Sequence, residues 1–365
     1  MSRPADAGAL PTLVGHEALR LLRNDDAAWD AFVAQSETPT PLQLTAWARV
    51  KAATGWQAAR VVVDGGSGPI GAQVLIRRLG PGPFALGYAP RAPIAATLDE
   101  RSLAAFSAAL RRFARRRRLT HVTADPGFPK GTAEGLFLAE GWRPADLVQP
   151  ERTWVVDLDG TESELYGALR TTTRRYVNKA RRDGCTLRTG IATDLPAFHA
   201  ILVETARRGG FIHRSFDAYR EIYEAFSPSG EAELLFADLP DGTPAATKLL
   251  VSCGGRVTQP YSGMTDAGAQ TRANYLLEWE TIRHTAAAGR AVYDMTGLPT
   301  PGIAYFKQGF GGREIQYCGS WDLVTLPLLR EGIVRARRVV VSLARRRRGL
   351  APSAARGVDI DKAGG

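Results

Sequence analysis

Apolar and polar positions alternate along this chain in two periods, and the order of those periods repeats. Helices are expected near Asp25–Ala34 and over Gln43–Thr54, Asp99–Arg118 and Gly135–Glu140, with Gly55 closing the second. Between them, Ala58–Val63 and Ile70–Leu79 read as strands around the turn Gly65–Pro69, and Phe84–Tyr88, Thr120–Asp125 and Thr153–Asp157 read as further strands. The pattern restarts near residue 160. Glu162–Asp183 reads as one long basic helix closed by Gly184, followed by a strand at Thr186–Thr189 and helices at Leu195–Gly209 and Asp217–Ala225. Strands are expected at Ala232–Asp238, Ala245–Ser252 and Arg256–Met264, a helix at Asn274–Gly289, strands at Ala291–Asp294 and Tyr317–Val324, and a last helix at Leu328–Arg348. The shared order of helices, antiparallel strands and a helix–strand pair predicts two related α+β domains, 1–158 and 159–325. A basic helix follows within 326–350, and 351–365 is expected to be a disordered tail.

Charge narrows the partners. Lys plus Arg number 47 against 37 Asp plus Glu, giving a formal +10 and a pI near 9.8, which favours nucleic acid, phosphorylated substrates or a membrane surface without choosing among them. The basic runs are Arg111–Arg118, Arg174–Arg182 and Arg330–Arg348; a solvated helix face is the plain reading of each, phosphate contact the functional one. The last run interleaves Leu328, Leu329, Ile333, Val334, Val339, Val340 and Leu343, a pattern that fits docking on the other domain or lying on a membrane. Three scattered cysteines and no Cys/His cluster point to a reducing cytoplasm and no metal site. Met1–Thr12 lacks a signal-peptide core, and no stretch has transmembrane length.

Two motifs fit by letter and not by context. Gly66-Ser-Gly-Pro-Ile-Gly71 matches G-x-G-x-x-G, and Arg77-Arg-Leu-Gly-Pro-Gly82 matches an acyl-CoA signature, but each should open a helix and here adjoins strands. Glu278 and Glu280 stand two apart on a helix, so they do not share a face as an acid–base dyad. More informative is Tyr293–Gly312. It sets Lys307 between Phe306 and Phe310 and follows it with three glycines, in a chain that has only six lysines. Either this is a strand-to-loop junction with a surface lysine, or a partly desolvated ammonium is aimed at an anion.

Taken together, several segments resemble the FemABX peptidyltransferases, most closely the short FemX-like members. They are Pro41–Lys51 with Gly55-Trp56, Leu86–Pro93, Leu169–Ala180, Thr205–Arg214 with Tyr219, Tyr261–Met264 through Arg272–Trp279, and Tyr293–Gly312. The series spans about residues 40–325 in order. The resemblance implies two acetyltransferase-like domains, without the long inserted helical hairpin of FemA-type members. It implies transfer of glycine or another small amino acid from aminoacyl-tRNA to an amine of a peptidoglycan precursor, with the tRNA as co-substrate and no other cofactor. The acceptor would be lipid II or a UDP-linked muropeptide. The enzyme would be a cytoplasmic monomer whose basic helix, within 326–350, packs back on the first domain; the apolar–basic pattern of 328–348 separately suggests a membrane contact at the inner face. It implies precursor binding by the first domain and acyl transfer by the second. Lys307 and Phe306 would be catalytic, and Lys51, Arg214, Tyr219, Tyr261 and Arg272 would bind substrate. The arginine-rich segment with Arg174, Arg175 and Lys179 is the candidate RNA or phosphate contact. An aminoacyl ester is already activated, so alignment and charge stabilisation suffice and no covalent nucleophile is needed. The competing classes are a tRNA-dependent transferase acting on an antibiotic precursor, an acyl-CoA-dependent N-acyltransferase of cell-surface polysaccharide synthesis, and a non-catalytic RNA-binding protein.

Overall fold

The described residues build two seven-stranded mixed sheets. The computed structural model describes residues 16–210 and 213–347. They divide into two units, 16–146 with 318–347, and 147–317.

In the first unit, helices α1 (His16–Asn24), α2 (Asp26–Ala34) and α3 (Thr45–Ala52) precede strands β1 (Gln57–Asp64), β2 (Pro69–Arg78), β3 (Ala85–Arg91) and β4 (Ile94–Ala95). Helix α4 (Glu100–Arg116), β5 (Leu119–Pro126), α5 (Glu134–Ala139) and β6 (Arg143–Ala145) follow. Asp99 and Ser102 form a capping box that starts α4. Leu103, Phe106, Leu110 and Ala114 then recur at helical spacing and are buried against the sheet. Strand β5 is buried at all eight positions, as a central strand covered on both faces must be.

The second unit contains β7 (Arg152–Asp157), α6 (Glu162–Gly167), α7 (Thr171–Arg182), β8 (Thr186–Gly190), α8 (Leu195–Gly209), α9 (Phe216–Phe226), β9 (Ala232–Asp238), β10 (Pro244–Cys253) and β11 (Arg256–Met264). It closes with α10 (Asp266–Thr271), α11 (Ala273–Ala287), β12 (Val292–Gly297), α12 (Pro301–Gln308) and β13 (Arg313–Gln316). The chain then returns to the first unit as β14 (Ser320–Val324) and α13 (Pro327–Arg347). The sheet orders are β1-β2-β3-β5-β14-β6, with β4 on β2, and β13-β7-β12-β11-β10-β9-β8.

These orders correct the expected domain limits. Strand β7 pairs with β12 and β13, so its hydrogen bonds belong to the second sheet and the boundary falls at 146/147, not 158/159. Strand β14 pairs with β5 and β6, so 318–325 belongs to the first unit. The tail at 351–365 lies outside the described residues.

Two expected elements also change. The helix expected over Glu162–Asp183 is broken between α6 and α7, where Arg170 turns extended. Arg174 Nη1 donates to Gly167 O and Leu169 O, both at 2.8 Å, taking up carbonyls that the break leaves without helical partners. The segment around Lys307 is a helix rather than a loop, capped by Thr300, with Pro301 at its first position.

Candidate active site

The two sheets differ at one comparable place. Each contains a single parallel strand pair next to an antiparallel meander. In the first unit, β3 and β5 stay paired from Ala85↔Leu119 to Arg91↔Pro126. In the second, β11 and β12 pair only at Arg256↔Val292, Val257↔Tyr293 and Thr258↔Asp294. Strand β11 continues to Met264 on β10, while β12 turns away. The result is a wedge between two strands whose facing backbone edges have lost their ladder partners.

Side chains take over those edges. Lys307, on the last turn of α12, points its Nζ at three successive carbonyls, Met295 O (2.5 Å), Thr296 O (3.0 Å) and Gly297 O (2.7 Å). An ammonium has three donors, and all three are used here. Burial presses Lys307 down to about 8, against the pull of Glu278 and Asp294. Thr296 lies in the left-handed region at φ 57°, a conformation that costs a β-branched residue about 1–3 kcal/mol. Three bonds hold it there. Its N–H donates to Asp294 Oδ1 (2.8 Å), its Oγ1 donates to Gln259 O across the wedge (2.8 Å), and its carbonyl accepts from Lys307. Farther along, Gly312 has φ +81°, and a Cβ there would stand 2.1 Å from Val155 O, so only glycine lets the chain enter β13.

Beneath the wedge is a buried polar core that sequence reasoning missed. Lys248 on β10 and Glu278 on α11 form an ion pair at 2.9 Å. Tyr293 Oη donates to Glu278 Oε1 (2.7 Å) and touches Gln259 Oε1, while Lys248 Nζ reaches Tyr293 Oη (3.2 Å). Burial lowers Lys248 against the upward pull of Glu278, and burial next to Glu278 raises the Tyr293 phenol well above its usual range. Asp294 is buried too, yet Arg256, with Thr153 and the Thr296 amide, keeps its carboxylate below the usual range.

The expected site residues fall into three groups. Phe306 packs edge-on against Tyr275 and Phe310, each with centroids about 5 Å away. Next to them is a surface of arginines laid on tyrosines. Arg170 covers Tyr305 at 4.2 Å, while Arg272 and Arg175 approach Tyr176 at 4.7 and 5.6 Å. Tyr176 in turn packs on Tyr275. No acidic side chain among the described residues pairs with Arg170, Arg175 or Arg272. Arg272 itself sits at φ 64°, where α11 begins without a side-chain cap. Two of the expected RNA contacts have other partners, Arg174 in the α6–α7 break and Lys179 in an ion pair with Asp183.

The second group is Arg214, Tyr219 and Tyr261. The Tyr219 ring is edge-on to Tyr261 at 4.9 Å, its Oη accepts from the Arg214 amide at 3.1 Å, and the Arg214 guanidinium lies 5.8 Å from the Tyr261 ring. Tyr261 is on the part of β11 that faces the wedge edge. The third is Lys51, in the first unit, buried with its Nζ 5.3 and 5.9 Å from the Trp47 and Trp56 rings. That unit also holds Asp125, which the sequence did not single out. Burial pushes its carboxyl up to about 7 beside Arg91 and Tyr88, and neither of its oxygens has a hydrogen bond of ordinary geometry.

Two α+β units, one opened into a wedge at its parallel strand pair, define a tandem acetyltransferase-type fold. Residues 167–308 match the acetyltransferase (GNAT) domain model, and 25–131 match the FemAB family model. The lipid II:glycine glycyltransferase of Staphylococcus aureus (strain MRSA252) is 30% identical over 224 residues, covering 58% of this chain and 53% of the relative. That of Staphylococcus saprophyticus is 28% identical over 233 residues, covering 59% and 54%. The chain thus spans about half the length of the curated relatives it matches. The crystal structure of FemX shares the fold with TM-score 0.77 at 20% identity, covering 84% of this chain and 98% of that one. L-PGS from Bacillus licheniformis follows with TM-score 0.52 at 12% identity, covering 86% and 97%. The FemAB match and these relatives make the chain similar to the FemABX family over part of its length.

Proposed function

We propose that this chain transfers an aminoacyl group from the 3′ end of an aminoacyl-tRNA to an amine of a peptidoglycan precursor. Glycine and a lipid-linked acceptor are the first choices, because the relatives are named for both. The observation that carries the reading is the wedge beside Thr296. Its strained residue is over-determined by three bonds and lies against a buried cation, the pattern expected where a fold is held ready for chemistry.

The reaction needs little covalent help. The acceptor amine attacks the ester carbonyl and a C–N bond forms. The tetrahedral oxyanion then collapses, the C–O bond to the ribose breaks, and the amine's proton ends on the ribose oxygen. Lys307 places a fixed positive charge beside that centre and pins the 295–297 backbone, so it acts as a positioning residue. Phe306 and Phe310 exclude water around it. The Arg170–Tyr305 and Arg272–Tyr176 pairs offer flat, positively charged surfaces on which unpaired bases stack, with phosphates following the arginines. In the second unit, Arg214 supplies a cation for the precursor's phosphates, with Tyr219 and Tyr261 beside it to border its peptide; in the first unit, Lys51 is the candidate phosphate contact.

The deciding experiment incubates the protein with charged tRNA and either lipid II or the UDP-linked muropeptide, with and without RNase. Aminoacylated precursor that disappears on RNase treatment is the expected result. Transfer from an acyl-CoA, with none from any charged tRNA, would overturn the reading.

A further inference from the structure

Helix α13 presents two unlike faces. On one, Arg330 pairs with Asp322 at 2.7 Å and Arg338 pairs with Asp146 at 2.6 Å, both inside the first unit. At about 100° per residue these two arginines fall within a quarter of the helix circumference. Leu328, Val339 and Leu343 fall within about 60° of one another on the opposite side. There they are 90%, 57% and 51% exposed. Gly332 and Ala336, both exposed, lie between them and keep the stripe continuous. The helix is therefore tethered by its charged side with an apolar stripe turned outward, the reverse of what a helix packed only for its own fold would do.

Its charge decides what covers the stripe. The 21-residue sequence has seven arginines and one acidic residue, Glu331. A second copy of the chain laid stripe to stripe would bring two such helices together and repel. An anionic surface would be attracted instead. We infer that α13 lies in the interface of an anionic lipid bilayer, with Leu328, Val339 and Leu343 in the acyl boundary and Arg335 at its edge among the headgroups. The helix does not span the bilayer, since no helix among the described residues is long and apolar enough to cross one. This contact is separate from the wedge chemistry and does not depend on which group is transferred.

The test is co-sedimentation of the full chain with vesicles of phosphatidylglycerol and phosphatidylethanolamine, against vesicles of phosphatidylcholine alone. Binding is expected to the anionic vesicles, to weaken in high salt, and to fall about tenfold in the double variant Val339→Asn, Leu343→Asn. These positions are exposed, so the variant should keep the wild-type circular dichroism spectrum and melting point. Equal binding to neutral vesicles, or unchanged binding by the variant, would overturn the inference. So would a dimer that the variant abolishes in the absence of vesicle binding.

Discussion

Lys307 looks like a simple cation in the sequence and is a more constrained object in the fold. Its ammonium is spent on three carbonyls, so it acts through position and field. Losing its proton leaves two donors for three acceptors. Because burial brings it to about 8, that loss begins just above neutral pH. Lys307→Met should lower turnover about 100-fold while the protein stays folded. The ratio of wild-type to variant rates should shrink as pH rises through 8. A constant ratio across that range would remove the charge from the mechanism.

Asp125 gives a stability prediction of the same kind. Its folded carboxyl is raised to about 7, so the folded state binds the proton more tightly than the unfolded chain. The stability this brings is complete below the unfolded carboxylate's ordinary value and is lost as pH rises through 7. Over pH 4–7 the wild-type melting temperature should therefore drop relative to Asp125→Asn, measured by calorimetry. Neither Asp125 nor the Lys248–Glu278 pair was legible in the sequence. Asp125 ends an ordinary apolar strand. Glu278 differs from Glu280 only in facing inward, while Glu280 meets Arg181 and Arg283 at the surface. Two-residue spacing does exclude a dyad, but it does not say which of the two carboxylates is buried or that β10 supplies a lysine to it.

At the scale of elements, most helices and strands followed from periodicity, and the exceptions have local causes. Helix α12 was readable in principle from Thr300-Pro301, a cap followed by proline at the first position, but the glycines after Lys307 outweighed it. The break between α6 and α7 is marked in the sequence only by Gly167, which ends α6. It is held by the Arg174 side chain, whose Nη1 donates to two carbonyls of the break. The surface proposed for RNA lies where α7, α12 and the start of α11 bring arginines onto tyrosines. Arg272→Ala with Tyr176→Ala should raise the KM for charged tRNA about tenfold or more, with little change in the KM for the precursor, since base stacking is worth about 1–3 kcal/mol per base. Salt titration of tRNA binding should show a shallower slope in Arg272→Ala alone. Equal effects on both substrates would assign the pair to general folding.

For the whole molecule, the informative strand is β14. Two related α+β units were legible, as was their order, but not their boundaries. Strand β7 precedes the point where the pattern restarts, and β14 follows the second unit in sequence while completing the first in space. A fragment ending at residue 158 would carry β7 without its sheet and lack the strand between β5 and β6. It should be insoluble or molten, whereas residues 1–146 joined by a short linker to 318–347 should unfold cooperatively in urea. Cooperative unfolding of 1–158 would contradict this topology.

The same strand sets a timetable. A chain leaves the ribosome from its N-terminus, and domains ordinarily complete in that order. Here the first sheet lacks an interior strand until residue 324 has emerged, while every strand of the second sheet is already available by residue 316. The later half of the protein is thus the first able to finish. The earlier half must wait, with Asp125 on an unfinished edge, for the returning segment to close it.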